Sequence, residues 1–296
     1  MTRRLLLPLP GAEAFAERLA LAGGFELGDL ATRRFPDGER YVRLGFNPAG
    51  REVDIVGELS RADDDRFLTL AFAADALREL GARQVGLIAP YLGYMRQDAR
   101  FQPGEAITSR TFARLVSGLV DRLVTVDPHL HRFAALSELY TIPAVTLHAA
   151  PLIGDWIARD VEAPLVIGPD AESEQWASEV AARADAPFAV LSKQRFGDRE
   201  VRIMLPDLAA FAGRQPVLID DIASSGRTLV AASAALQGQG FAPPVCVVVH
   251  AIFGGDALAR VTQAASRIVS TDTIAHPTNA ISVSPLIADA LAKATP

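Results

Sequence analysis

The sequence predicts an α/β protein of two tandem halves, each a mainly parallel sheet flanked by helices. Three observations point there. The chain has 296 residues, beyond the roughly 100–150 of a common single domain, so two cores are expected. Short apolar runs alternate with helical patterns along most of the length, as parallel strands joined by crossover helices require. The alternation restarts after the proline-marked stretch Pro143 to Pro151, so domains are expected at 1–146 and 147–296, with the last helix returning to pack on the first.

In the first half, the segment from Met1 to Pro8 reads as a strand. Val53 to Gly57 is another, followed by an amphipathic helix from Asp64 to Leu80 that Gly81 closes. Gln84 to Ala89 begins the cycle again. A helix from Thr108 to Val120 leads into the strand Arg122 to Val126, whose carboxyl end carries Asp127, Pro128 and His129. That end of a strand is where α/β sheets place their chemistry. In the second half, Leu165 to Gly168 and Phe188 to Leu191 read as strands around a helix from Ser173 to Ala184. The strand Pro216 to Ile219, the helix Leu229 to Gln237, and the strands Val245 to Ile252 and Ser266 to Ser270 come next. A helix near Pro285 to Lys293 ends the chain. The halves are of similar size, which fits diverged copies of one fold.

A composition of 50% hydrophobic and 22% charged residues belongs to a folded protein and excludes a disordered one. The net charge of −6 and pI near 5.4 argue against a nucleic-acid-binding surface while leaving room for small basic pockets. Cys246, the one cysteine, sits in the apolar run Val245 to Val249 and is expected to be a buried core thiol, with no internal disulfide and no cysteine-rich zinc site. Pro8 and Pro10 cut short the leucines after Arg3 and Arg4, so no signal-peptide core is expected. Asp, Glu, Arg or Gly interrupts every apolar run before the roughly 20 residues of a spanning helix. A cytoplasmic protein without membrane or nucleic-acid partners is expected.

The strongest local signal is Val217 to Leu229: an apolar strand, the acids Asp220 and Asp221, a small hydroxyl-rich turn from Ser224 to Thr228, and a helix. Backbone N–H groups at a helix amino end bind an anion with the dipole behind them, and Ser225 and Thr228 add hydroxyl donors. Two adjacent acids just beyond a strand cannot both be buried cheaply, so they meet solvent, a cation or hydroxyl donors such as those of a ribose. The plain alternative is an ordinary capped strand-to-helix turn. The segment resembles the phosphoribosyl diphosphate loop of the phosphoribosyltransferase fold. There two acids precede a Thr-Gly-Gly-Thr-like turn; here the turn reads Ser225-Gly226-Arg227-Thr228, with Arg227 in place of a glycine.

Further segments narrow the resemblance. Phe35-Pro36-Asp37-Gly38-Glu39, Pro90-Tyr91-Leu92-Gly93-Tyr94-Met95-Arg96-Gln97-Asp98, His129, Gly168 to Ser173 and Lys193-Gln194-Arg195 stand in an order similar to the ribose-phosphate diphosphokinase family, in a form closer to its archaeal-type or otherwise atypical members. Each has a plainer reading taken alone: Phe35 as a core ring, Arg96 and Asp98 as a surface ion pair, His129 as structural, Asp170 as a helix cap, and Lys193 with Arg195 as a solvated hairpin tip.

The resemblance implies two phosphoribosyltransferase-like domains and transfer of the diphosphoryl group of Mg-ATP to the C1 hydroxyl of ribose 5-phosphate. It implies ATP binding by Phe35, Asp37, Glu39, Arg96, Gln97 and Asp98. Ribose 5-phosphate then falls to Asp220, Asp221, Ser224, Ser225, Gly226, Arg227 and Thr228. Mg2+ falls to His129 and Asp170, and catalysis to Lys193 and Arg195. The family resemblance further implies a homo-oligomer in which the Phe35 to Glu39 loop completes a neighbour's ATP site. Two other readings compete: a phosphoribosyltransferase, which needs the phosphate loop but not the Phe35 and Arg96 segments, and a noncatalytic regulatory homologue.

Overall fold

The computed structural model of the chain describes residues 4–59, 64–170, 173–196 and 200–293, and of these the side chains of 64, 65, 193–196 and 200–203 lie outside the description. The chain forms two compact units, Met1–Leu147 together with Val283–Pro296, and His148–Ser282.

In the first unit the elements follow as β1 (Leu5–Pro8), α1 (Glu13–Gly23), β2 (Glu26–Leu27), β3 (Leu30–Arg34), β4 (Arg40–Leu44), β5 (Glu52–Val56), α2 (Asp64–Glu79), β6 (Gln84–Ala89), α3 (Thr108–Leu119), β7 (Arg122–Val126) and β8 (Ala144–Leu147). Six of these strands pair in the order β2-β1-β5-β6-β7-β8, all parallel. β5, β6 and β7 are buried beyond their first residues, which is why they read as largely apolar runs rather than alternating ones, with Asp54 and Thr125 as the polar exceptions. Helix α2 lays Leu70, Ala73, Ala74 and Leu77, the spacing of one helical face, against Leu7, Ile55 and Leu87. Each such leucine contributes about 1.5–3 kcal/mol through burial. β3 and β4 form a separate antiparallel hairpin with Leu30 opposite Leu44 and Arg33 opposite Tyr41.

The second unit continues with α4 (Ala150–Asp160), β9 (Pro164–Gly168), α5 (Glu174–Arg183), β10 (Phe188–Val190), β11 (Ser192–Phe196), β12 (Glu200–Met204), β13 (Gln215–Ala223), α6 (Arg227–Gly238), β14 (Val245–Ala251), α7 (Ala257–Ala264), β15 (Arg267–Thr271) and β16 (Asn279–Ile281). Its parallel sheet has the order β10-β9-β13-β14-β15-β16. Leu229, Ala232 and Leu236 of α6 and Val261 of α7 cover Leu218, Cys246 and Val248. The last helix, α8 (Ser284–Lys293), belongs to the first unit and packs on α1.

Two of the boundaries that differ from the sequence reading bear on the site. β13 runs on to Ala223 instead of stopping at Ile219, so Asp220 and Asp221 lie within the strand rather than beyond it. Pairing is a backbone matter, and Ile222 and Ala223 continue it opposite His250 and Ala251 after the apolar run has ended. α6 starts at Arg227, two residues before the expected Leu229. The hairpin β3–β4, the strands β2, β8 and β16 and the helices α1, α4 and α7 had no assignment from sequence, and Lys193 and Arg195, whose plain reading was a hairpin tip, lie within β11. Within β3, exposed Arg33 and Arg34 mask the alternation that a strand would show.

Candidate active site

In the second unit, Asp220 and Asp221 are half-buried at the carboxyl end of β13, followed at once by the turn into α6. Successive strand residues point to opposite faces, so the two carboxylates diverge instead of repelling one another from one face. Asp220 lies on the face of Leu218 and Cys246, and its charge combines with burial to push the Cys246 thiol up to about 12. Asp221 turns one oxygen back to the backbone, Oδ1 accepting from the N–H of Ile222 at 2.7 Å.

The turn itself is held tightly. Gly226 is the N-cap of α6 with φ 67°, a left-handed conformation that side chains resist. A Cβ there would also stand 2.6 Å from Cγ2 of Val261. The glycine the turn requires is therefore Gly226, while Arg227 occupies the first helical position with an exposed side chain and an ordinary backbone. That removes the backbone objection to an arginine in this loop. Ser225 is exposed, and its Oγ accepts from the Arg227 N–H at 3.5 Å. Thr228 is half-buried in the first turn of the helix. An exposed helix amino terminus flanked by two hydroxyls and an arginine is suited to a phosphate group.

β9 neighbours β13 in the sheet, with Ile167 opposite Leu218, so the segment after Gly168 emerges beside the acids. Asp170 is half-buried there. Its carbonyl accepts from Ser173, at 2.5 Å from Oγ and 3.1 Å from the N–H. The N-cap of α5 is Ser173, three residues on. Ala171 and Glu172 lie outside the described residues. Lys193 and Arg195 stand two residues apart in β11, opposite Ile203 and Val201 of β12; their side chains, and the Gly197 and Asp198 that follow them, are outside the description. A groove of about 780 Å³ lined by Asp160, Glu162, Arg214, Phe241 and Arg267 opens at the amino ends of these strands. Parallel sheets bind at their carboxyl ends, so the groove is not the site despite its size.

In the first unit, β6 and β7 are neighbours, and Val126 donates to the carbonyl of Pro90 at 3.3 Å, bringing the loops after both strands together. The first of these loops buries Tyr91, Leu92 and Met95 and leaves Arg96 exposed. Gly93 passes so close to the chain that a Cβ would sit 1.9 Å from the carbonyl oxygen of Leu59. Tyr94 follows with φ 60°, its ring 4.7 Å from that of Phe112. Non-glycine residues in that region concentrate where surrounding structure enforces a functional geometry. Gln97 is anchored through its backbone, its carbonyl accepting from Ser109 at 3.3 Å. Asp98 is buried and pairs with Arg132 Nε at 3.4 Å, so it ties the Arg96 loop to the histidine loop. Arg132 escaped notice in the sequence; its place three residues past His129 was the available signal.

His129 is half-buried after β7, its ring edge-on to His131 with centroids 3.8 Å apart. Asp127, at the strand end, has φ 35°. Among the described residues no group of three or more His, Cys, Asp or Glu is disposed to hold a metal ion.

At the tip of the β3–β4 hairpin, Phe35, Asp37 and Glu39 are exposed. Phe35 and Glu39 close the turn, N–H to carbonyl at 2.8 Å, and Asp37 Oδ1 accepts from the N–H of Glu39 at 3.1 Å. The Arg33 guanidinium lies 4.5 Å from the Phe35 ring centroid and 4.4 Å from that of Tyr41. The ring is thus supported on one side and held out at the surface. Arg33 and Tyr41 were not singled out from sequence, because only the hairpin register makes them neighbours.

No helix among the described residues is long and apolar enough to cross a membrane. Residues 5–119 match the family model described as the N-terminal domain of ribose phosphate pyrophosphokinase, and residues 135–285 match the phosphoribosyl transferase domain. A ribose-phosphate pyrophosphokinase of Methanopyrus kandleri is 36% identical over 277 residues, covering 93% of this chain and 94% of the relative. One from Methanothermobacter thermautotrophicus is 35% identical, covering 88% of this chain and 90% of its own length. A bacterial relative from Bradyrhizobium diazoefficiens is 32% identical over 95% of this chain and 91% of its own length. The crystal structure of phosphoribosylpyrophosphate synthetase from Mycobacterium smegmatis has the same fold, with a TM-score of 0.84, 23% identity and 98% of each chain covered. With both domain models matched in order and relatives similar over most of its length, this chain belongs to the ribose-phosphate pyrophosphokinase family.

Proposed function

We propose that this chain transfers the diphosphoryl group of Mg-ATP to ribose 5-phosphate, giving 5-phosphoribosyl 1-diphosphate and AMP. Family membership carries the reaction, and the observation that carries its sugar-phosphate end is the Gly226-capped amino terminus of α6 directly after Asp220 and Asp221. In this reading Ser224, Ser225, Gly226, Arg227 and Thr228 hold the 5-phosphate through backbone N–H groups, hydroxyls and one guanidinium. Asp220 and Asp221 orient the ribose hydroxyls, so that the C1 hydroxyl faces the β-phosphorus. The match of residues 5–119 to the pyrophosphokinase N-terminal domain favours this over a phosphoribosyltransferase.

ATP falls to the first unit. Phe35 offers an exposed ring for the adenine, with Asp37 and Glu39 beside it, and Arg96 offers a planar fork for phosphate oxygens with Gln97. Asp98 holds their loop in place through Arg132. Mg2+, held by phosphate oxygens, water, His129 and Asp170, would supply charge neutralisation on the triphosphate. The sugar oxygen bonds to the β-phosphorus as the bond to the α–β bridging oxygen breaks, with no covalent enzyme intermediate. Lys193 and Arg195 oppose the charge that develops on the leaving oxygen. The family resemblance of the Lys193-Gln194-Arg195 segment supports that role. The family resemblance also supports a cytoplasmic homo-oligomer as part of this proposal.

The test incubates the purified chain with magnesium, ATP and ribose 5-phosphate and follows products by phosphorus NMR, with Lys193→Ala beside it. Equal formation of AMP and phosphoribosyl diphosphate, lost in the variant, is expected. Background hydrolysis alone would overturn the assignment.

A further inference from the structure

We infer that Arg260 is a positioning residue for the phosphate loop, an inference that rests on reading Ser224–Thr228 as the 5-phosphate site. Three successive carbonyls, from the last residue of β13 into the turn, face the chain that runs from the end of β14 into α7. Ala223 accepts from Phe253 at 2.8 Å and from Ile252 at 3.1 Å, and Ser224 accepts from Gly254 at 3.0 Å. Ser225 accepts from Nη2 of Arg260 at 3.0 Å. The first two are held by main-chain N–H groups, which any non-proline residue supplies. The third depends on a side chain.

A trans peptide is planar, and its C=O and N–H point in opposite directions. Fixing the Ser225 carbonyl toward α7 therefore aims the Gly226 N–H away from α7. The same peptide bond leads into the left-handed Gly226, the point in the loop where its plane could most easily rotate. Arg260 is itself steadied by the acid one helical turn earlier: Nη1 lies 2.8 Å from Oδ1 and 3.0 Å from Oδ2 of Asp256. Asp256 is at the N-cap of α7 yet makes no side-chain capping bond there. Its carboxylate serves Arg260 instead.

Calorimetric titration of the full chain with ribose 5-phosphate, and separately with ATP, tests this on the unaltered chain, Arg260→Ala, Arg260→Lys and Asp256→Ala. A lost hydrogen bond to a charged donor corresponds to about a tenfold loss of ribose 5-phosphate affinity in Arg260→Ala, with ATP affinity unchanged. Arg260→Lys should recover part of it, and Asp256→Ala should lose affinity in the same direction by a smaller factor. In steady state the KM for ribose 5-phosphate should rise more than kcat falls. If the unaltered chain binds ribose 5-phosphate and Arg260→Ala binds it within twofold, the inference is wrong while the loop assignment stands. If the unaltered chain binds none, the loop assignment falls and the inference with it. Should Arg260→Ala fail to fold, unchanged binding by both Asp256→Ala and Arg260→Lys would overturn the inference.

Discussion

Gly226 lies against Val261, whose Cγ2 would be 2.6 Å from a Cβ at position 226, and the glycine's own φ is 67°. Two independent constraints thus meet on one residue: a backbone conformation that L side chains resist and a neighbouring helix that leaves no room for one. Gly226→Ala should destabilise the chain by about 1–3 kcal/mol and abolish measurable ribose 5-phosphate binding. Adding Val261→Ala should return the steric part of the stability and none of the binding. Thermal melts and sugar-phosphate titrations of both variants check the two effects separately; full binding by Gly226→Ala would contradict the role given to this turn.

Asp54 is fully buried between two guanidinium groups, accepting from Arg4 Nη1 at 3.0 Å and from Arg122 Nε at 3.0 Å and Nη2 at 2.7 Å. Removing the carboxylate takes from Arg122 the acid it faces and leaves Arg4 its longer contact with Glu52 Oε2 at 3.4 Å. Asp54→Ala should cost about 3–5 kcal/mol, measured by urea unfolding. Replacing all three residues together by apolar ones of similar volume should cost far less, because no unpaired charge is left behind.

Cys246 has its ionisation pushed up to about 12 by burial and by the charge of Asp220. Below the ordinary thiol range, folded and unfolded forms both carry the proton and the group does not affect stability differentially with pH. Between about 9 and about 12 only the unfolded thiol ionises, so this contribution to stability should fall as pH rises through that window. Native protein at pH 8 should resist a thiol reagent and react at one site once unfolded. Rapid labelling of the folded protein would show that the thiol is accessible.

Phe35 is held at the surface by Arg33 rather than by the core. Phe35→Ala should raise the KM for ATP by about fivefold, the roughly 1 kcal/mol of one lost ring contact, with little change in thermal stability. Phe35→Tyr should retain most of the affinity. A large loss of stability in the alanine variant would instead mean that the ring serves packing.

Much of the fold was legible because the central strands are buried on both faces. Val85–Ala89 and Val245–Val249 therefore appear as continuous apolar runs, and Val53–Val56 as one broken only by Asp54. Arg33, Arg34, Arg40 and Arg43 of the β3–β4 hairpin carry no such signal, since its outward residues meet solvent or each other rather than a core. The end of β13 was misplaced for a related reason. Asp220 and Asp221 end the hydrophobic pattern, whereas the ladder with β14 continues through backbone groups that composition does not report.

The order of chemical groups along the chain was determined by sequence alone: acids, then hydroxyls, then a helix start, and separately an arginine-glutamine-aspartate run after a strand. Their local chemistry follows from residue type and spacing. Which of them point where was decided by tertiary contacts. Asp98 turned inward to Arg132, and the demand for glycine fell on Gly226 and spared Arg227. Arg260 joins the loop from 35 residues away in the chain. The reason is physical: spacing along one element limits which face a residue takes, but contacts between elements depend on sheet register and helix packing, which no single segment encodes.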